Sequence, residues 1–284
     1  MKNLTFAFLV ISFLISSCKK DTDDISLETT EDTTTTVVDT TTSTEDDPSN
    51  KVCKLTREYR YEYSDFGDYN SELLYSYDSE GLQTGYTYNA NGNLSLTQKD
   101  FTHNINGQLT GYTEYNSDDV KNQTVKYTYD ANGNLIKEEL LGTYSTVYEW
   151  TYDDLNRENS YKYYANGNLS QERKNYKYDS QNNVTYYEEF NENESKVSRT
   201  ATFVFDSNGN KIKEEFVSDS YSSQFEWVYD SSNKETSYKY YVNGNLSQEH
   251  KNYKYDSLGN ITYYEIFDNV GVISSYVEQS FSCF

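Results

Sequence analysis

One phrase recurs eleven times along this chain: an aromatic residue, any residue, an aromatic residue, Asp or Asn, two more residues, then Gly or Asn. Tyr127-Thr128-Tyr129-Asp130-Ala131-Asn132-Gly133 is the clearest copy. The fourth residue of the phrase falls at 78, 89, 104, 130, 153, 164, 179, 206, 230, 241 and 256, with Tyr164 and Tyr241 standing where the acid or amide is usual. The steps run 11, 15, 26, 23, then 11, 15, 27, 24, then 11, 15. A four-phrase block of about 76 residues has therefore been duplicated, and repetition of this kind dictates architecture before any single residue does.

The phrase has the chemistry of a β-hairpin. Two aromatics spaced by two lie on one face of a strand, because side chains alternate across the pleat. The turn that follows needs left-handed backbone, which Gly adopts freely and Asn tolerates. The turn position holds Gly in eight copies and Asn156, Asn182 or Asn233 in the others. Six copies read Asn-Gly (Asn91-Gly92, Asn106-Gly107, Asn132-Gly133, Asn166-Gly167, Asn208-Gly209 and Asn243-Gly244), the dipeptide of a tight type I′ turn. Steps of 11 or 15 hold one strand, and steps of 23 to 27 hold two strands joined by a looser polar turn. With an opening turn near residues 64–70 and a closing one at 268–271, the pattern predicts about 18 strands of roughly 6 to 10 residues. The single proline, Pro48, precedes the repeats, as ladders that use nearly every N–H require. No apolar period of 3.6 residues is sustained beyond the N-terminus, so the fold class is all-β.

The first 50 residues obey a different grammar. Met1-Lys2 leads into the apolar run from Leu4 to Ile15, too short for a permanent membrane span and shaped like a secretory signal. Ile15-Ser16-Ser17-Cys18 resembles the bacterial lipobox, which implies cleavage after residue 17 and acylation of Cys18. Several acyl chains on one residue anchor a protein stably, whereas one binds only marginally. Lys19-Lys20-Asp21-Thr22-Asp23-Asp24 resembles the charged signal that directs lipoproteins of Bacteroidota to the outer face of the outer membrane. Residues 18–50 then form an acidic, Thr-rich segment without aromatics, unable to offset its ordering entropy, and read as a disordered tether. Asp32-Thr33-Thr34 and Asp39-Thr40-Thr41 resemble O-glycosylation sites of the same bacteria; a bare spacer is the alternative. The domain division is 1–17 signal, 18–50 lipidated tether and 51–284 repeat domain.

The phrase itself resembles the YD repeats of Rhs-type proteins over most of residues 72–265, with Gly85-Tyr86-Thr87-Tyr88-Asn89-Ala90-Asn91-Gly92 a good stretch. Rhs repeats wind a sheet into a shell around a toxin. This chain is far shorter, its last strand runs to the C-terminus and no toxin or self-cleaving segment follows, so encapsulation is not expected. The domain is also similar to repeat-containing lipoproteins of Bacteroidota whose up-and-down sheets close into a soluble, porin-like barrel.

An antiparallel meander of this length needs a way to bury its aromatic face, which with 32 Tyr is largely phenolic. Cross-strand aromatic pairs stabilise such a face by roughly 0.2–1 kcal/mol each. An open sheet of 18 strands is implausible, since twisted sheets rarely pass about ten strands. Rolling into a closed or nearly closed barrel removes both edges; a spiralling single sheet of the Rhs type is the competitor. Cysteine arithmetic bears on the choice. With Cys18 acylated, Cys53 in the first strand and Cys283 in the last remain, and an oxidising exported compartment allows a disulfide between them. Such a bond requires the two strands to lie within about 7 Å, hence closure. Two unpaired thiols are the alternative. A lipid-spanning barrel is not expected, because Ile212-Lys213-Glu214-Glu215-Phe216 is charged on both faces and the opposite face of Tyr148-Glu149-Trp150-Thr151-Tyr152 is polar.

Functional signals are sparse. His103 and His250 show no recurring metal spacing, and no phosphate loop, nucleophile signature or cofactor motif is present. Asp206-Ser207-Asn208-Gly209-Asn210 superficially resembles a calcium loop, but an EF-hand puts Gly sixth and Lys211 stands there. No metal, cofactor or enzymatic activity is expected. The net charge of −22 argues against nucleic acid. Tyrosines combine an apolar body with a hydrogen-bonding tip and suit sugar rings or peptides. Residues 160–180 and 237–257 differ only at Ala165/Val242 and Arg173/His250. Within them Tyr164 and Tyr241 occupy a turn-flanking place where packing demands little, which makes them candidates for ligand stacking. The expected function is a lipid-anchored, surface-exposed outer-membrane protein that binds extracellular glycan or protein ligands; a structural envelope or adhesion component, or a fragment-like relative of Rhs shell proteins without a toxin, is the alternative.

Overall fold

The computed structural model describes residues 52–64, 67–192 and 196–283. Two strands, β1 (Cys53–Glu62) and β2 (Tyr69–Tyr77), come first. Six follow as β3 (Gln83–Ala90), β4 (Asn93–His103), β5 (Leu109–Asn116), β6 (Lys121–Tyr129), β7 (Leu135–Gly142) and β8 (Ser145–Tyr152). The next six are β9 (Glu158–Ala165), β10 (Asn168–Tyr178), β11 (Val184–Asn191), β12 (Val197–Phe205), β13 (Lys211–Val217) and β14 (Ser222–Tyr229). The described chain ends with β15 (Glu235–Val242), β16 (Asn245–Tyr255), β17 (Ile261–Asp268) and β18 (Ile273–Cys283). Each strand pairs antiparallel with its successor, and β1 pairs with both β2 and β18. The sheet is therefore a closed up-and-down barrel of 18 strands, and the spiral alternative is overturned.

Closure has an internal logic that the repeat spacing conceals. Tyr75-Ser76-Tyr77-Asp78 leads into β3 as Trp150-Thr151-Tyr152-Asp153 leads into β9 and Trp227-Val228-Tyr229-Asp230 into β15. The barrel is thus three six-strand units: β3–β8, β9–β14, and a third in which β15–β18 are completed by β1 and β2. The β1–β18 ladder joins the two parts of one unit. Cys53 and Cys283 are register partners at its end, with sulfurs 1.99 Å apart and Cα atoms 3.9 Å apart.

The two rims differ because the phrase makes two kinds of turn. Eight phrases turn at the rim where β1 begins, and three at the opposite rim. Only these three have left-handed backbone at both central residues: Asn91 and Gly92 (φ 49° and 73°), Asn166 and Gly167 (49° and 81°), Asn243 and Gly244 (49° and 77°). The expectation of type I′ geometry at Asn106-Gly107, Asn132-Gly133 and Asn208-Gly209 is incorrect, since only the glycines there have positive φ. In those turns the fourth residue of the phrase decides. Asp130 Oδ1 accepts the N–H groups of Asn132 and Asn134 at 2.9 and 2.8 Å, which holds a type I turn closed by Gly133. Asn104 and Asp206 do the same. The I′ asparagines instead reach a neighbouring strand: Asn91, Asn166 and Asn243 accept the N–H groups of Asn70, Ser145 and Ser222.

Val125, Ala201, Ile266 and Val277 are at most 2% exposed and mark the inner face, which they share with the aromatic residues of the phrases. Along it rings touch from strand to strand, as in Tyr148–Tyr163 at 5.3 Å, Phe225–Tyr240 at 4.9 Å and Tyr253–Tyr264 at 5.4 Å. The outer face carries cross-strand ion pairs. Glu172 lies between Lys162 (3.7 Å) and Lys174 (2.6 Å), and Glu249 between Lys239 (3.7 Å) and Lys251 (2.6 Å). One close approach is testable. A Cβ on Gly111 would lie 2.6 Å from the Val125 carbonyl oxygen on β6. Gly111→Ala should cost about 1 to 3 kcal/mol by forcing β5 and β6 apart, read by denaturant unfolding; wild-type stability would mean that the strands yield freely.

Candidate functional site: the lumen wall

Only seven apolar side chains are buried among the described residues (Leu73, Val125, Tyr161, Tyr187, Ala201, Ile266 and Val277), too few for a close-packed interior. A closed wall of 18 strands is wide enough to leave an aqueous interior. The side chains of Arg173 and Arg199 point inward yet remain 28% and 35% exposed, so they face open space.

The inner face, largely phenolic as expected, also carries charged side chains. The equivalent strands β1, β7 and β13 place Glu58, Glu138 and Glu214 inside, in register with Leu73, Tyr148 and Phe225. Each has a different partner. Gln279 Nε2 donates to Glu58 at 2.9 Å, the Tyr127 hydroxyl bonds Glu138, and Lys211 pairs with Glu214. At the starts of β9 and β15, Glu158 and Glu235 accept the hydroxyls of Tyr176 and Tyr253. Burial raises the carboxyl groups of Glu138, Glu158 and Glu235 above the ordinary range, against the opposing pull of those phenols. In the first unit the corresponding pair is Gln83 and Phe101; where the hydroxyl is lost, so is the carboxyl.

One row of the wall departs most among the units. Ladder register aligns Tyr86–Gln98–Glu114–Gln123 in the first unit. The second has Tyr161–Arg173–Glu189–Arg199, and the third Tyr238–His250–Ile266–Ser275. The Arg173/His250 difference is thus matched across the ladder by Glu189/Ile266. Glu189 Oε2 accepts Arg199 Nη2 at 2.8 Å and lies 3.4 Å from Arg173 Nε. The Arg173 guanidinium sits 4.3 Å over the Tyr161 ring and 5.0 Å from that of Tyr187, and Arg199 sits 4.7 Å over Phe216. In the third unit His250 lies between the rings of Tyr238 (4.4 Å) and Tyr264 (5.0 Å). Burial, helped by Arg60, holds its imidazole down at about 4, so it is uncharged at neutral pH.

The residues singled out from the sequence are distributed as follows. Cys18 lies outside the described residues, as do the signal and the tether. Cys53 and Cys283 meet at the seam. Tyr164 and Tyr241 are ordinary strand residues of the outer face, in register with Leu169 and Leu246, beside the I′ turns. Those turns use no side-chain acceptor at the fourth place, which explains why the acid is absent there. Tyr241 donates to Glu226 at 3.2 Å. The two tyrosines stand six strands apart, roughly 29 Å along the wall, so one small ligand does not touch both. The Asp206 carboxylate is engaged by the N–H groups of Asn208 and Asn210 and by the Asn210 amide. Among the described residues no cluster of His, Cys, Asp or Glu has the arrangement of a metal site. Charge on both faces was legible at Glu214, but the inward places of Glu58, Glu138, Glu189 and Arg199 went unnoticed, although Glu138 shares its alternation with Ile136 and Leu140.

No protein-family model matches the chain, and no curated protein matches it in sequence. Among solved structures it is similar to a porin-like protein from Bacteroides uniformis, with 11% identity and a TM-score of 0.46 over 80% of this chain and 98% of that one. A porin-like protein from Bacteroides vulgatus gives 12% identity and a TM-score of 0.41, over 79% and 97%. The TcdB2-TccC3-Cdc42 structure gives 13% identity and a TM-score of 0.37; 72% of this chain is covered, and it spans 13% of that chain's length.

Proposed function

We propose that this chain is a surface lipoprotein of the bacterial outer membrane, held by acylated Cys18, whose barrel binds extracellular glycan or protein ligands without catalysing a reaction on them. The observation that carries the binding reading is the half-exposed aromatic and charged lumen wall, which supplies ring faces and hydrogen-bonding groups around an open interior. The outer ion-pair ladders favour water over lipid around the wall, so anchoring falls to the N-terminal lipid. The unequal lumen rows of the three units favour a binding role over a purely structural one, because scaffolding alone asks the same of every copy.

Glycan-array binding of the purified protein tests this. We expect selective binding to a small set of glycans, retained when Tyr164 and Tyr241 are both changed to Ala, because those rings are far apart on the outer wall. Loss of binding in that variant would return the site to the outer face. No binding to any glycan or to surface-protein extracts would favour the structural alternative. Radiolabelled palmitate should enter the wild type and not Cys18→Ala.

A further inference from the structure

We infer that the Arg173–Glu189–Arg199 row is a lumenal site for the carboxylate of an acidic sugar, a proposal that rests on the glycan-binding reading above and narrows its ligand class. The fold does not need this row. The same backbone positions hold Gln98, Glu114 and Gln123 in one unit and His250, Ile266 and Ser275 in another, and both units close the same ladders. Only the second unit places two guanidinium groups in this row, and they share one carboxylate, which leaves a local excess of positive charge inside a chain of net charge −22.

The row is also under-satisfied. Arg173 Nε and Arg199 Nε, like Arg60 Nε and Ser275 Oγ in the third unit, are buried without a hydrogen-bond partner, Arg173 Nε approaching Glu189 Oε2 without the alignment of a bond. Buried donors left in this state are rare and call for a physical reason. Tyr161 and Tyr187 back Arg173, and Phe216 backs Arg199, so both forks are held from behind while their outer edges face the lumen. A preorganised guanidinium matches a carboxylate in two parallel N–H···O bonds, and little ordering remains to oppose binding. The nearby inward carboxylates have partners of their own: Glu214 is paired with Lys211, Glu138 is bonded by the Tyr127 hydroxyl, and Glu158, which feels Arg173, accepts the Tyr176 hydroxyl. Tyr163 and Gln171, a phenol and an amide that are partners in the same ladder, suit a sugar better than an acidic peptide.

The test is titration calorimetry of the purified protein with trigalacturonate, its methyl-esterified form and hexaglutamate. We expect saturable binding of the acid form and roughly ten-fold or weaker binding of the ester, which keeps the sugar and loses the charge. Changing the row to its third-unit residues (Arg173→His, Glu189→Ile and Arg199→Ser together) should weaken the acid form roughly ten-fold or more. Glu189→Gln, which removes the competing carboxylate and keeps both arginines, should tighten it about threefold or more. Ester binding equal to that of the acid, unchanged in these variants, would overturn the acidic-sugar site and leave the broader glycan reading standing. Absence of trigalacturonate binding alongside array hits on neutral glycans would do the same. Equal binding of hexaglutamate, abolished by the same triple change, would overturn the assignment to a sugar. Should the triple variant fail to fold, the wild type decides: binding of the ester equal to that of the acid refutes the site.

Discussion

Breaking the Cys53–Cys283 bond should lower the melting temperature of the barrel by roughly 10 to 20 °C, with little change in its folded structure. The bond closes a loop of 230 residues, for which the chain-entropy relation gives about 5 kcal/mol. Each kcal/mol shifts the midpoint of a domain this size by about 2 to 4 °C. Most of the effect acts on the unfolded chain, whose ends are freed when the link is cut. In the folded protein the β1–β18 ladder remains, with nine register pairs from Cys53↔Cys283 to Glu62↔Ser275. Thermal melts of wild type with and without reductant, and of Cys53→Ser/Cys283→Ser, should therefore agree with one another in the reduced state. Far-UV spectra below the transition should stay unchanged, and amide exchange should quicken first in β1 and β18. Superimposable oxidised and reduced melts would mean that the seam is held by its ladder alone.

The seam also shows how far the sequence could be read. Strand number, the up-and-down order and the aromatic inner face follow from local rules, because alternation and turn chemistry act within a few residues. The division into three units was hidden, because the third is split between the two ends of the repeat domain. Its signal was present in Tyr75-Ser76-Tyr77-Asp78, which matches the residues before β9 and β15. The two turn types were hidden for a different reason. Asn91-Gly92 and Asn132-Gly133 are the same dipeptide, and Asn89 and Asp130 are both capable acceptors. Strand register chooses between them: Asn89 is paired in the ladder with Glu72 and Leu94, whereas Asp130 is free to accept the turn N–H groups. The charged lumen escaped because a pattern of alternating faces assigns charge to water and assumes that water lies only outside. Glu138 and Glu189 obey the alternation yet are buried on the inner face, held there by the Tyr127 hydroxyl and by Arg173 and Arg199.

Glu189→Gln should destabilise the protein by roughly 2 to 3 kcal/mol, more than replacement of the whole row. Removing one partner of a buried ionic group leaves the others uncompensated, whereas replacing the group with a packed alternative is often nearly neutral. Glu189 is 7% exposed and is ion-paired with two guanidinium groups. Its amide counterpart keeps the shape and removes the charge, so Arg173 and Arg199 repel each other on adjacent ladders. Their partial exposure, 28% and 35%, lets lumen water offset part of the cost and sets the estimate below that of a fully buried triad. The triple change to His, Ile and Ser imports a combination that the third unit already accommodates between Tyr238 and Tyr264. It should therefore cost less than Glu189→Gln, although it alters three residues rather than one. Denaturant unfolding of the two variants side by side checks the order. The reverse order would mean that the arginines are themselves structural supports of the wall. The expected order means that Glu189 is there to hold two arginines the fold could do without, at a cost in stability that the other two units avoid.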